Sequence, residues 1–324
     1  MIDQHLEKER VIVDEKLKQN EETKVYEIFR EVMKSYLGVE IEKEKAGRIL
    51  EFFMTVMYNL TLNPSAIVRG YYLCAEQDYE AAKLLSKKFP SLAVFHLQQT
   101  VEKITKAYAL HMGLIKEEES YKKRGNKVGT EVVGHISPKA FILLLKKRGA
   151  AEFVDTVFLA CPEIPKITVK EVLQKFEKLL QKTDELAKLS KNEINHFIKR
   201  CEDIQDAIRK IDIRKTRENF KRLKVGFIAR LRSAVSPEIV EDIKKKFNAI
   251  ERKIGSIINE LLTFSQLYAL AIITFPHFSY SRYPGGKITF ADYHEGLGIV
   301  DSLDDILISI GSIMKSLEKI CARG

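Results

Sequence analysis

The stretch Tyr71–Gly113, YYLCAEQDYEAAKLLSKKFPSLAVFHLQQTVEKITKAYALHMG, decides the fold. Tyr72, Ala75, Tyr79, Ala82 and Leu85 recur at three- and four-residue steps, the period of a helix with one apolar stripe. Pro90 cannot continue that helix, and Ser91 is suited to cap the next. The second helix then turns Val94, Leu97, Val101, Ile104 and Tyr108 to one side and stops at Gly113. Two amphipathic helices joined by so short a turn pack antiparallel, as half of a bundle.

Outward from this hairpin the chain stays helical. Residues 1–36 are rich in Lys and Glu, with Val25, Ile28, Phe29 and Val32 as a narrow apolar stripe. From Gly47 to Asn59 the pattern is strongly apolar, and Asn63-Pro64-Ser65 opens the next helix. A polar loop with Lys122, Lys123, Arg124 and Gly125 at its tip precedes a third bundle helix, Pro138 to about Arg148, capped by Ser137. A long helix is expected from near Thr168. Another is expected from Ser236-Pro237-Glu238 through Ile254, a separate buried one over Asn259–Thr274, and a last one over Ser302–Cys321. Between the last two lies a non-helical stretch whose Pro284-Gly285-Gly286 suits a short hairpin.

The runs AxxDYxAAxxL and AVFHLQQTVEKxxKA resemble the HEPN domain family of small all-α domains. The matching residues include Asp78, Tyr79, Ala82, Phe95, His96, Gln98, Gln99, Glu102, Lys103 and Lys106. Gly134-His135 ahead of AFILLLKK and Arg282-Tyr283-Pro284 ahead of the last helix follow the family order. The expected architecture is all-α, an up-and-down HEPN-like bundle with an N-terminal helical extension and an inserted helical subdomain. Its parts are 1–60 (extension), 61–150 (first part of the bundle), 151–258 (insertion) and 259–324 (closing part).

Composition narrows the function classes. A chain of 324 residues with 45% hydrophobic residues can bury a sizeable core. Its formal net charge of +9 suits an anionic partner, RNA, DNA or nucleotide phosphate. Cys74, Cys161, Cys201 and Cys321 form no CxxC pair, which suits a reduced, cytoplasmic setting. The apolar run Leu261–Pro276 carries Thr, Ser and Gln, and reads as a buried core helix rather than a membrane span. No HExxH, GxxxxGK[ST] or GxGxxG pattern occurs, so no metal and no cofactor is implied.

Catalytic members of the family that the chain resembles are metal-independent endoribonucleases with an Arg, a polar residue that is often Asn, and a His five positions after the Arg. The nearest run here is Lys191-Asn192-Glu193-Ile194-Asn195-His196, with Lys in place of Arg. Asn192 and His196 share one helical face, and Ser190 with Glu193 has the spacing of a capping box. His196 would then act as general base or acid on the ribose 2′-OH and the leaving oxygen. Lys191 would offset phosphorane charge, as a point charge without the fork of Arg. The competing reading is a half-exposed polar helix with an incidental histidine.

Further contacts are expected from His277, Arg282 and Tyr283 in PHFSYSRYPGG, as phosphate or base contacts with stacking faces. The alternative there is that Arg282 pairs with a core carboxylate such as Glu102 and that Pro284 shapes the turn. The stretch Lys199–Arg232 is crowded with cations, among them Arg214, Arg217, Lys221 and Arg222, and is the best electrostatic footprint for phosphates. Glu102, Lys103 and Lys106 read as a helix-surface charge set, and His96 and His111 as satisfied core histidines. The implied protein is a homodimer that binds RNA or nucleotide, with an antitoxin-like partner protein and a defence role. A non-catalytic nucleotide-binding or protein-interaction module is the alternative.

Overall fold

The computed structural model describes residues 20–36, 38, 40–117, 138–147, 149–152, 174, 178, 181–209, 212–277 and 288–321. Helix is the only extended element among them, and no strand occurs there, so the protein is all-α. The principal helices are α1 (20–36), α2 (Lys43–Phe52), α3 (Ala66–Leu85), α4 (Pro90–His111), α5 (Lys139–Lys146), α6 (Thr183–Leu186), α7 (Lys191–Arg209), α8 (Ile213–Leu231), α9 (Pro237–Thr274), α10 (Gly298–Asp301) and α11 (Leu303–Cys321).

The chain divides into two compact units. One comprises Met1–Tyr58, Arg148–Lys166 and Asp212–Ile254; the other comprises Asn59–Lys147, Ile167–Ile211 and Gly255–Gly324. The expected insertion 151–258 is therefore not one body. Its later helices share a core with the N-terminal segment, while α6 and α7 belong with the hairpin. Sequence distance hid this, because a helix joins whichever unit covers its apolar stripe.

The first unit is held by a run of phenylalanines. Phe29 of α1 meets Phe227 of α8 edge-on at 5.2 Å, Phe227 lies 5.6 Å from Phe247 of α9, and Phe220 stacks on Phe247 at 5.3 Å. Lys224 crosses from α8 to Glu251 and Asn248 of α9. Tyr26 lies against Gly47, where any Cβ would fall 2.6 Å from the ring, and its hydroxyl donates to Glu51 at 2.8 Å. Gly149 has φ of +86°, and a Cβ there would sit 1.8 Å from the carbonyl oxygen of Arg48.

The second unit is built on the α3–α4 hairpin. Ser65 caps α3 by accepting from the Val68 N–H, as Asn63-Pro64-Ser65 suggests. The α4 start differs from expectation: Pro90 occupies the first helical turn and Phe89 the cap, so Ser91 lies inside. Proline is favoured there because its missing N–H is unsatisfied in any helix. At the other end Gly113 adopts φ of +68°, with Gly113 N–H bonded to Leu110 O and Leu114 N–H to Ala109 O, a Schellman closure. α11 packs on this hairpin, and Tyr79 Oη donates to Leu307 O at 3.1 Å. Phe141 of α5 stacks on Phe264 at 4.2 Å, with Tyr108 beyond.

Three more expectations change. The helices expected to break between Ile254 and Asn259 are one helix, α9; Gly255 costs about 1 kcal/mol in a helix interior without breaking it. Its most apolar window has mean hydropathy 1.4, enough by composition to cross a membrane, yet 61% of that window is buried within protein. The pair Glu102–Lys106 is present at 2.9 Å but is not at the surface: Glu102 is 4% and Lys106 8% exposed. The long helix expected from Thr168, and the hairpin at Pro284-Gly285-Gly286, fall outside the described residues.

Replacing Gly149 by Ala combines a left-handed backbone with a collision against backbone, so a loss of about 2–4 kcal/mol is expected in urea unfolding. Gly38→Ala is the control. Its φ is also positive, but its Cβ would meet open space, and it should cost about 1 kcal/mol.

Candidate functional site

The capping box at α7 forms as its spacing suggests. Glu193 Oε2 accepts from the Ser190 N–H at 2.8 Å, and Ser190 Oγ accepts from the Glu193 N–H at 3.3 Å. The Ser190 N–H bond, and after it the Ser190 hydroxyl donating to Glu193 Oε2 at 2.7 Å, hold the Glu193 carboxyl below its ordinary range. Gly298, at the start of α10, lies so close that a Cβ would be 2.0 Å from Leu189 O. The inner side of α7 buries Ile194, and Phe197 packs on the cluster of Leu186, Ile272 and Phe275.

The opposite side carries the sequence-predicted residues. Lys191, Asn192 and His196 are all exposed, with Asn192 and His196 one turn apart. The helical register thus brings them together as expected. No described residue hydrogen-bonds or pairs with His196, so no described carboxylate or carbonyl fixes its tautomer. A general base oriented by such a partner is the usual arrangement.

The cationic run resolves into one helix. Asp212 caps α8, accepting from the N–H groups of Arg214 at 2.8 Å and Lys215 at 3.2 Å. Phe220, Leu223, Phe227, Ile228 and Leu231 face inward. Arg214, Lys215, Arg217, Lys221, Arg222 and Arg232 are exposed on the remaining surface. None of these six pairs with a carboxylate among the described residues. Some other cations are matched: Lys43 with Glu27, Lys199 with Asp203, Lys244 with Glu241, and, on α8 itself, Lys224 with Glu251 and Arg230 with Glu31. From Arg214 to Arg232 the helix runs about 27 Å. This face belongs to the first unit and the α7 residues to the second.

His277 is buried, with its Nδ1 2.7 Å from Tyr293 Oη. Desolvation pushes its pKa down to about 3, so it is a neutral imidazole at ordinary pH and brings no charge to a phosphate. The expected phosphate contact at this residue therefore lacks its electrostatic basis. Its suggested companions Arg282, Tyr283 and His135 lie outside the described residues.

Sequence reading passed over one charged trio. Asp78 of α3 bridges to His96 Nδ1 at 2.9 Å and to Lys103 Nζ, both on α4. His96, read as a core histidine, is half-buried and oriented by a carboxylate. The signal was the pairing of Asp78 with positions seven apart on the facing helix, which only the hairpin geometry reveals. Among the described residues no group of three or more His, Cys, Asp and Glu is placed to hold a metal ion. Compared with family models, with curated proteins and with solved structures, the chain matches none.

The lowered His277 value makes acid sensitivity testable. The unfolded chain takes up the proton near the ordinary value of 6.5 and the folded chain only near 3. Stability should therefore be full above the first value and fall as pH drops towards the second. The urea midpoint of His277→Phe should decline less between neutral and acidic pH than that of wild type. Ser190→Ala should cost about 1 kcal/mol in the same measurement by removing the α7 cap.

Proposed function

We propose that this chain is an RNA-binding helical protein of HEPN type that holds the phosphate backbone along α8. The observation that carries the reading is the set of cations Arg214, Lys215, Arg217, Lys221, Arg222 and Arg232, exposed along and at the end of α8 and paired with no carboxylate among the described residues. Unpaired Lys and Arg in a row release counterions from a polyanion on contact, which supplies affinity without sequence preference. One exposed acid, Glu218, stands among these six cations, whereas α9 pairs Lys244 with Glu241 and Lys246 with Asp242. RNA rather than DNA follows from the resemblance around Asp78–Tyr79 and Gln98–Lys106, as do a homodimer, an antitoxin-like partner and a defence role.

A second reading adds metal-independent cleavage. Its support is the co-facial Asn192 and His196 at the capped start of α7. His196 would take the 2′-OH proton as that oxygen attacks the phosphorus, Lys191 would balance charge on the phosphorane, and the P–O5′ bond would break with the proton passed from the imidazolium to the leaving 5′ oxygen, leaving a 2′,3′-cyclic phosphate. The missing orienting partner for His196 within the described residues favours binding without cleavage as the leading reading.

Fluorescence anisotropy with a labelled single-stranded RNA at several salt concentrations tests both. The variant Arg214→Ala/Arg217→Ala/Lys221→Ala/Arg222→Ala should lose about a hundredfold in affinity, with the salt slope reduced by roughly 3. Unchanged affinity and slope would remove α8 from the reading. In EDTA, cleavage products from wild type and none from His196→Ala would establish the enzymatic reading. Equal product from both would take His196 out of it.

A further inference from the structure

The other described aromatic rings of the first unit are buried or half-buried, but Tyr36, at the end of α1, is 46% exposed. Its ring is nevertheless held against α8. The hydroxyl end lies so close to Gly226 that a Cβ there would be 2.5 Å from Cε2 and 2.6 Å from Oη. Tyr26 meets Gly47 in the same way, but its hydroxyl is also bonded to Glu22 and Glu51. Tyr36 has no such anchor. No described residue hydrogen-bonds to its hydroxyl, and no described ring or cation stacks on it.

Lys215, Asn219, Arg222 and Gly226 follow one another at four- and three-residue steps, which puts them on one stripe of α8. The three side chains are exposed, and the stripe runs about 16 Å from Lys215 to the glycine. Tyr36 therefore stands at one end of a row that includes two of the cations without a carboxylate partner among the described residues.

We propose that Tyr36 is a stacking platform for an unpaired base of single-stranded RNA whose phosphates follow Lys215 and Arg222. This use of Tyr36 presupposes that α8 holds phosphates, and it adds which form of RNA the face takes. A glycine costs the interior of α8 about 1 kcal/mol relative to alanine. A ring half in water, without a hydrogen bond, offsets little of that through packing. Its exposed part at the end of a cationic row suits a base, because every base has a π-face and stacking needs no particular sequence. In a duplex the bases are already stacked on each other, and the grooves offer backbone and base edges rather than faces. Cations alone would hold both forms, whereas the ring adds affinity for the single strand only.

The chain has no Trp, so Tyr36→Trp introduces a single fluorescent reporter at the site. Single-stranded RNA should quench its emission at saturation, while an abasic ribose-phosphate strand of the same length should bind and leave the emission unchanged. In anisotropy titrations Tyr36→Ala should lose about tenfold in affinity for the single strand. Its affinity for the abasic strand, its affinity for the same RNA annealed to its complement, and its salt slope should stay at wild-type values, and Tyr36→Phe should bind as wild type does. Unchanged single-strand affinity in Tyr36→Ala, or an unquenched Tyr36→Trp, overturns the proposal. So does an equal loss on the single, abasic and duplex forms, which would mark Tyr36 as mere support for α8. In each of these cases the α8 reading stands if the fourfold Arg214, Arg217, Lys221 and Arg222 variant still loses affinity and salt slope. If that variant binds as wild type does, the α8 reading falls and the role of Tyr36 falls with it.

Discussion

Helix α4 can be enclosed because its polar row satisfies itself. Gln98 and Thr105 are wholly buried, and Glu102 and Lys106 nearly so, on a helix whose other inward positions are Val94, Leu97, Val101, Ile104 and Tyr108. Gln98 Nε2 donates to Glu102 at 3.2 Å and Lys106 Nζ donates at 2.9 Å, so one carboxylate gathers charge and hydrogen bonds along a single helical face. An uncompensated carboxylate at that depth would cost several kcal/mol. The ladder makes α4 a central element on which α3, α5, α10 and α11 can all pack. Around it the hairpin is locked by local chemistry: the Ser65 cap, Pro90 at the turn, the Gly113 closure, and the bridge from Asp78 to His96 and Lys103.

Charge is handled in two ways in this molecule. At several places on the described surface, cations sit with acids at three- and four-residue spacing or across helices, an arrangement that contributes little each. On α8 Arg214, Lys215, Arg217, Lys221 and Arg222 pair with no carboxylate among the described residues, while the opposite face of the same helix enters the phenylalanine core. That separation keeps the field directed outward from a rigid support. The buried groups Glu102, Glu260, His111 and His277 are screened least, and at His277 burial alone favours the neutral imidazole.

Much of the local structure was legible in the sequence. The α3 and α4 stripes, the opening at Ser65, the stop at Gly113 and the Ser190–Glu193 box follow from periodicity and capping chemistry, which act within one or two turns. Boundaries that depend on energetic competition were less legible. Gly255 reads as an interruption, yet packing on both sides of it carries α9 through. The site residues divide along the same line. Asn192 and His196 share a face because helical geometry requires it, while the surroundings of His196 are settled by what other elements bring to it, and no described group does.

By itself the sequence determined that this protein is helical, where its central hairpin begins and ends, and that α8 is cationic, because those properties arise from neighbours three and four residues apart. Tertiary structure alone decided that residues far apart in the chain form the two units, that Glu102 and Lys106 lie inside, and that on α8 Lys224 and Arg230 find carboxylates while Arg214, Arg217, Lys221 and Arg222 find none among the described residues. It also decided that Glu260 is buried with His111 beside it. Burial, pairing and cavities are properties of surfaces brought together from separate stretches, and no local spacing encodes which stretches meet.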